Sequence, residues 1–414
     1  MPGHAGPART PPPFACGEIV TRYASLTPDL FRVQAREWLA ANFPAALKGR
    51  KAITPSDETE PCADYCAWTA RMGEVGWGVP EWPTEYGGGG LDQQQVEILA
   101  EEMERAGAFN PIGGLGVMML GPTVLEFGTH EQKLQHLPPI ARGELLWCQG
   151  FSEPGAGSDL ASLQTRCEDK GDHWLVNGQK IWTSFANLSD WCFCLVRTDT
   201  SVKQQGISFL LIDMRSPGVE ARPIKLINGI SHFCETFFTD VRVPKENLLG
   251  AVNQGWTIAK CLLQHERSGL SAQRASAPTT QDLAALARTY VGTGADGRLA
   301  DGDLRSRLID HLMTDRAYRL TLTRRIAEEE AGQIATTPLS AVKNIGAQVA
   351  QQRSELTIEI LGNHSLGWDG QGYTDQELHF TSEWLHSKCF SIYGGSHEIQ
   401  NNITAKRVLN LPGD

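Results

Sequence analysis

The hydrophobic period of the chain changes twice, and this order restricts the folds open to it. Across residues 31–140 apolar side chains recur at helical spacing, between about 145 and 250 the period becomes two, and from Trp256 onward it is helical again. Such a sequence indicates a β region between two helical regions, an α+β architecture. The clearest predicted helices and strands cover residues 96–105, 131–140, 191–196, 207–212 and 236–243.

Local signals refine this outline. Four glycines at 87–90 predict a loop between helices, and Asn177-Gly178 between two apolar triplets predicts a tight hairpin. In the last region Ile258, Leu262 and Glu266 fall on one helical face.

Charge and cysteine content exclude several classes of protein. The formal net charge is -11 and Lys and Arg do not cluster, so a nucleic-acid partner is not expected. The sequence contains neither a membrane-length apolar run nor a signal-peptide pattern, which predicts a cytoplasmic protein. Ten cysteines occur without a CxxC motif, so no metal site or disulfide framework is predicted and the thiols are expected to be reduced. A Pro/Gly/Ala-rich opening predicts a flexible leader over residues 1–27.

The formal GxGxxG motif at Gly292, Gly294 and Gly297 follows a helix-like segment. A dinucleotide fingerprint must follow a strand, so a helix-breaking loop is the better interpretation. Motifs of P-loop proteins, zinc proteases and elbow-type serine hydrolases are absent from the sequence.

Two segments in the β region carry candidate chemistry. Residues 152–159 read SEPGAGSD, a glycine-containing turn with two hydroxyls that can bring backbone N–H groups close to an extended ligand. Residues 177–184 read NGQKIWTS, where a Trp lies beside two hydroxyls and would suit a flat heterocycle. Taken singly, the first is equally well an ordinary sharp turn and the second an ordinary core Trp.

Together these segments resemble the acyl-CoA dehydrogenase family. The resemblance spans roughly residues 30–411 and includes further motifs in the expected order: PTEYGGGGL at 83–91, FTDVRVP at 238–244 and IYGGSHEIQ at 392–400. It implies a helical domain at 28–143, a central β-sandwich or barrel-like domain at 144–252 and a C-terminal four-helix bundle at 253–414. It also implies FAD as cofactor, a homo-oligomer (dimer or tetramer), an acyl-CoA substrate, and an electron-transferring flavoprotein as electron acceptor.

Motif positions assign roles by resemblance. Ser158 would contact the cofactor and also lie towards the CoA, and Arg267 would line the CoA side, with a structural ion pair as an equal alternative for Arg267. The remaining assigned residues would contact the flavin or the dinucleotide: Phe151, Ser152, Trp182, Ser184, Gly362, Ser396 and Glu398.

The catalytic base departs from the common pattern. α,β-Dehydrogenation requires a base for the α-proton, and many relatives carry a Glu after Tyr where this chain has Gly394. The LQHER segment at 263–267 resembles the second family position, found in isovaleryl-CoA dehydrogenases, which makes Glu266 the expected base. Periodicity alone favours a helix-bundle ion pair for Glu266, and it is the family position that favours the base. The backbone N–H of Gly394 would still stabilise the thioester carbonyl. His265 and His397 receive no role, because neither has an evident partner.

A second departure concerns FAD. Many relatives have Arg-Phe-Gly on the second bundle helix, but residues 297–303 here read GRLADGD. Relatives with reduced FAD sites form hetero-oligomers, so a second, different chain is an open alternative. Two other functions also stay open: altered flavin chemistry of the oxygenase, desulfinase or nitroalkane oxidase type, and a non-catalytic partner subunit.

Overall fold

The computed structural model describes residues 23–53, 60–276, 282–370 and 372–412, with the side chains of 266–276 and 330 outside the description. Helices occupy both ends and strands the middle, so the α+β order predicted from the hydrophobic period is confirmed. Within the described residues, none of the helices combines the length and hydropathy needed to cross a bilayer.

Two of the N-terminal helices begin with capping boxes, and one ends at a left-handed glycine. Asp92 and Gln95 form a reciprocal capping box, as do Thr129 and Gln132, and Gly107 closes a helix in the left-handed conformation. A π-helical turn, Gly116–Leu120, leads directly into the fourth helix. The helices are α1 (Pro28–Asn42), α2 (Ala63–Glu74), α3 (Gln93–Ala106), α4 (Gly121–Phe127) and α5 (His130–Ala141).

Part of the expected leader belongs to the folded structure. The ring centroid of Tyr23 lies 5.1 Å from that of Trp77, and the Gln95 side chain donates to the Leu26 carbonyl at 3.0 Å. The prediction that residues 23–27 are flexible is therefore wrong, because their apolar side chains pack on the N-terminal core. Residues 1–22 lie outside the described residues.

The N-terminal domain contains a buried carboxylate. Glu102 is 1% exposed and pairs with Arg36 at 2.8 Å and Arg32 at 3.2 Å. The hydrogen bond from Arg36 is the main cause that lowers the pKa of Glu102, to about 2, against the opposing effect of burial. A depressed pKa stabilises the fold above the unfolded value of about 4.3, and this stabilisation is lost as pH falls from about 4.3 towards about 2.

Replacing Glu102 with Gln is expected to lower the free energy of unfolding by about 1–3 kcal/mol at neutral pH, since the arginines are partly exposed and solvent weakens the pairs. The difference from wild type should shrink as the pH approaches 2, where the wild-type carboxyl is protonated. Denaturant unfolding at several pH values measures this, with exposed Glu104→Gln as the matched control. A difference that does not depend on pH would contradict the assignment.

The central region is one eight-stranded sheet. The strands are β1 (Trp147–Gly150), β2 (Arg166–Asp169), β3 (His173–Ser184), β4 (Trp191–Arg197), β5 (Ile207–Asp213), β6 (Val219–Ile224), β7 (Phe233–Pro244) and β8 (Leu248–Leu249). Their order across the sheet is β6-β7-β3-β2-β4-β5-β8, and β1 pairs in parallel with β4.

Both faces of β4 and β5 are covered, because Phe193 and Phe209 enter one core whereas Cys192 and Leu210 enter another.

The hairpin predicted at Asn177-Gly178 is wrong. Both residues lie inside β3, which continues through them with a register shift against β7 between Val176 and Gly178. The glycine serves close approach instead of a turn, because a Cβ at Gly178 would lie 2.7 Å from the Cα of Thr165. The Asn177 side chain forms hydrogen bonds with Asp240 on β7. Pairing of β3 with β7 therefore outweighs the local preference of these two residues for a turn.

The C-terminal region is helical, and its first helix packs on the sheet. Ile258 and Leu262 are fully buried in the core that includes Phe209, as the predicted helical face requires. The glycines of the GxGxxG motif fall in the loop after the second helix, as expected. The helices are α6 (Gly255–Ser276), α7 (Leu283–Tyr290), α8 (Gly302–Glu330), α9 (Leu339–Leu361), α10 (Asp375–Ser387) and α11 (His397–Ile403).

Candidate active site

The SEPGAGSD segment is anchored by a buried ion pair that the sequence analysis did not single out. Lys180 on β3 is 0% exposed, and its Nζ lies 2.7 Å from Glu153 and 3.1 Å from the Phe151 carbonyl that it bonds. Glu153 also accepts backbone N–H groups of Gln164 and Thr165. A sequence signal that could have indicated this pair is the even spacing of Lys180 from the apolar residues Trp174 and Val176, which is typical of one face of a strand.

Electrostatics keep the Glu153 carboxyl ionised. Burial opposes its ionisation, but the charge of Lys180 and the hydrogen bonds that Glu153 accepts together lower its pKa. An ionised carboxylate held by three donors fixes the turn that starts at Phe151. The segment is therefore preorganised before any ligand arrives.

A bulge in β3 presents the predicted aromatic wall. Lys180 pairs with Thr236 and Thr183 with Cys234, so β3 has one extra residue between these pairs. Trp182 occupies the bulge with a φ of 62°, and its side chain is 52% exposed. Trp182 lies near the end of β3, and its exposed ring provides a flat apolar surface for a ligand.

The two motif segments are in contact beside this bulge. The N–H of Ile181, next to Trp182, donates to the Ser152 carbonyl at 2.9 Å. Ser152 and Ser184 are half-buried and Phe151 is buried. Ser158 is exposed in the turn that follows. The structure therefore brings Ser152 next to the strand that carries Trp182 and Ser184, and the flavin contacts assigned to these residues stay predictions.

The turn that carries Gly394 is held by its carbonyl groups. Gln400 donates to the Gly394 carbonyl at 2.7 Å, and Lys343 donates to the Gly395 carbonyl at 2.6 Å. Gly394 has a φ of 64°, a left-handed conformation that suits glycine. Among the described residues, no backbone hydrogen-bond partner is found for the Gly394 N–H.

A chain of ring contacts connects the bulge with this turn. His232 lies in the middle of this chain of rings. Its pKa is lowered mainly by burial and also by the charge of neighbouring His386, so the neutral imidazole is favoured. Successive centroids in the chain are 4.4–6.1 Å apart, which is the range of favourable aromatic contacts. The rings, in order, belong to Trp182, Phe233, His232, His386, Phe390 and Tyr393.

The remaining predicted residues lie on the helical bundle. Gly362 ends α9 with a φ of 52°, Ser396 caps α11 by accepting from the Ile399 N–H, and Glu398 is exposed in the first turn of that helix. No described hydrogen bond or ion pair links these three residues to the group at the bulge. Glu266 and Arg267 belong to α6, but their side chains lie outside the described residues.

One cluster on α6 was missed. Cys261 and His265 approach Glu126 of α4, with the Cys261 thiol donating to Glu126 at 2.8 Å and lying 3.5 Å from the His265 Nε2. The available sequence signal was the spacing of four between Cys261 and His265, which places two metal-ligating side chains on one helical face. No metal site was predicted at this pair because the sequence has no CxxC motif.

Models of three domains match the chain in order. They are the acyl-CoA dehydrogenase N-terminal domain at residues 29–144, the middle domain at 148–241 and the C-terminal domain at 253–409. The chain is 40% identical over 389 residues to acyl-CoA dehydrogenase IpdE1 of Mycobacterium tuberculosis, which covers 92% of this chain and 97% of the relative.

Solved structures also resemble the chain over most of its length. The Tcur3481-Tcur3483 steroid ACAD matches with a TM-score of 0.72 and 28% identity, over 94% of this chain and 98% of that one. The ChsE4-ChsE5 complex from Mycobacterium tuberculosis gives a TM-score of 0.70 and 28% identity, over 94% and 99% of the two chains.

Proposed function

Since this chain belongs to the acyl-CoA dehydrogenase family and is an oxidoreductase, we propose that it converts an acyl-CoA thioester to the 2-enoyl-CoA with FAD as cofactor. The observation that most supports this mechanism is the packing of α6. Ile258 and Leu262 anchor one face of that helix on the sheet, and Glu266 follows Leu262 by four residues. By sequence spacing alone, we infer that Glu266 shares the helical face of Ile258 and Leu262.

The residues at the bulge suit a flavin. The half-exposed Trp182 would supply a flat wall, and Ser152 and Ser184, which are half-buried, would supply hydroxyl groups. Phe151 and Ser152 would hold the pyrimidine side, while Gly362, Ser396 and Glu398 would hold the dinucleotide. When bound, FAD supplies the acceptor for the hydride that leaves the β-carbon.

The chain's own groups would perform the remaining work. Glu266 takes the α-proton as general base, and the Gly394 N–H donates a hydrogen bond to the thioester carbonyl as negative charge develops there. The hydrogen bonds to the Gly394 and Gly395 carbonyls hold the turn that carries this N–H, so little reorganisation would be needed during reaction. Ser158 and Arg267 would bind the CoA portion.

For the acyl group we propose a branched or cyclic chain. Gly394 has no side chain where many relatives carry the base, which leaves room near the α-carbon. The name of one structural relative specifies a steroid ACAD, and the name of another specifies a complex of two chains, ChsE4 and ChsE5. An assembly of identical subunits and one with a different second chain both remain part of the proposal, with an electron-transferring flavoprotein as electron acceptor.

Anaerobic addition of acyl-CoAs to the purified flavoprotein tests this function. We expect bleaching of the flavin absorption and formation of the enoyl-CoA, fastest with a cyclic or branched acyl group. Native mass spectrometry of the same sample gives the assembly. No bleaching with any acyl-CoA, but oxygen-dependent product formation, would instead support altered flavin chemistry. Flavin binding that requires a second, different chain would support the partner-subunit function.

A further inference from the structure

Three metal-ligating side chains converge where α4 meets α6, in a place that the proposed dehydrogenation does not use. The Sγ of Cys261, the Nε2 of His265 and a carboxylate oxygen of Glu126 all lie within 4.8 Å of one another. Glu126 is exposed, whereas Cys261 and His265 are half-buried. The cluster is therefore reachable from solvent at one side and packed at the other.

The distances fit a shared ion after small side-chain rotations. Zinc bonds of 2.0–2.3 Å in a tetrahedral arrangement place ligand atoms about 3.3–3.8 Å apart. The Cys261 Sγ is already 3.5 Å from the His265 Nε2, while the Glu126 oxygen, at 2.8 Å from the sulfur, must retreat by roughly 0.5–1 Å. Because Glu126 is exposed, its carboxylate has the freedom to move.

The helical framework already holds two of the ligands in position. Cys261 and His265 are one turn apart on α6, and the buried residues Ile258 and Leu262 fix this part of the helix on the sheet. Buried Val124 anchors α4 in the same core. Little entropy is lost on binding when ligands start from such a framework.

We propose that Glu126, Cys261 and His265 form a site for a divalent transition metal, zinc by ligand type, that connects α4 to α6. A thiolate, an imidazole and a carboxylate are all ligands that zinc accepts, and three protein ligands leave a fourth position open to water. As the sulfur–metal bond forms, the thiol proton passes to solvent. His265 directly precedes Glu266, so an ion here would fix the helical turn that carries the proposed base.

Without an ion the three groups form a hydrogen-bonded cluster. Burial, assisted by the Glu126 carboxylate, raises the pKa of the Cys261 thiol to about 11, so the thiol stays protonated in the metal-free protein. A cluster that only forms hydrogen bonds and a cluster that binds metal make different predictions for added cations.

Cobalt(II) added to tag-free, chelator-treated flavoprotein tests the proposal. We expect about one equivalent to bind, with visible d–d bands at longer wavelengths than the oxidised flavin absorbs, and zinc to displace it. Zinc should also raise the melting temperature of the wild type, as expected for a ligand that binds the native state. Both signals are independent of dehydrogenase activity.

Single substitutions identify the ligands. Cys261→Ser and His265→Ala should each lower the affinity for cobalt by at least about 10–100-fold, the range seen for loss of an outer-shell partner. The exposed Cys66 provides the matched control, and Cys66→Ser should bind like wild type. Cobalt bands of full intensity in Cys261→Ser, or no cobalt binding by the wild type, would overturn the proposal. Metal-free melting temperatures confirm that the variants fold.

Discussion

Replacing Glu266 with glutamine is expected to slow flavin reduction by an acyl-CoA by about 10²–10⁴-fold, the usual contribution of a positioned general base. Glutamine keeps the shape of the side chain but cannot take the α-proton. Binding of substrate should change far less, because the base acts on the reacting carbon and not on the CoA. Stopped-flow measurement of flavin bleaching under anaerobic conditions separates the two effects.

A matched control and a competing outcome make this test decisive. Glu37→Gln changes an exposed carboxylate in the N-terminal domain and should leave the rate unchanged. Retention of flavin by Glu266→Gln shows that the site is intact. If the variant reduces its flavin as fast as wild type, Glu266 is not the base, and a carboxylate elsewhere must be sought.

Replacing Lys180 with methionine should destabilise the fold by about 3–5 kcal/mol, because it leaves the buried Glu153 carboxylate without its cation. The side chains are similar in length, so loss of packing contributes little. The Phe151 carbonyl also loses a donor, and weaker flavin retention should accompany the lower stability. Denaturant unfolding and the flavin content of the purified variant measure both effects.

A charge-matched comparison separates burial from the simple loss of a lysine. Lys170→Met removes an exposed lysine that pairs with Glu168 on the surface, and should cost less than about 1 kcal/mol. Combining Lys180→Met with Glu153→Gln should restore part of the lost stability, since no unpaired charge then remains buried. Equal unfolding midpoints for Lys180→Met and Lys170→Met would show that the buried pair does not stabilise this turn.

The architecture followed from hydrophobic periods, because they report which faces are buried. The strands expected at 191–196 and 207–212, and the buried face of α6 at Ile258 and Leu262, occur where the pattern placed them. Asn177-Gly178 was misread because a turn signal is local, whereas the pairing of β3 with β7 depends on residues about sixty positions away. The contact of Tyr23 with Trp77 was not predicted for the same reason, because it joins residues that are distant in the sequence.

The site was only partly predictable. Motif segments located Ser152 and Trp182, which the structure joins through the hydrogen bond from Ile181 to Ser152. The Glu153–Lys180 pair and the approach of Glu126 to Cys261 join residues that are distant in the sequence, and no short pattern specifies such contacts. The role of Glu266 rests on its position in α6 and on family resemblance.

The extra residue in β3 has a consequence for how this site tolerates insertions and deletions. In a regular strand Lys180 and Thr183 would point to opposite faces, but the bulge lets both be buried while Trp182 faces outward. Deleting one residue here would convert the bulge into a regular ladder in which the two buried positions still face the core, because they would then be two residues apart. Such a chain would keep the downstream register but lose the left-handed position that turns the ring of Trp182 outward.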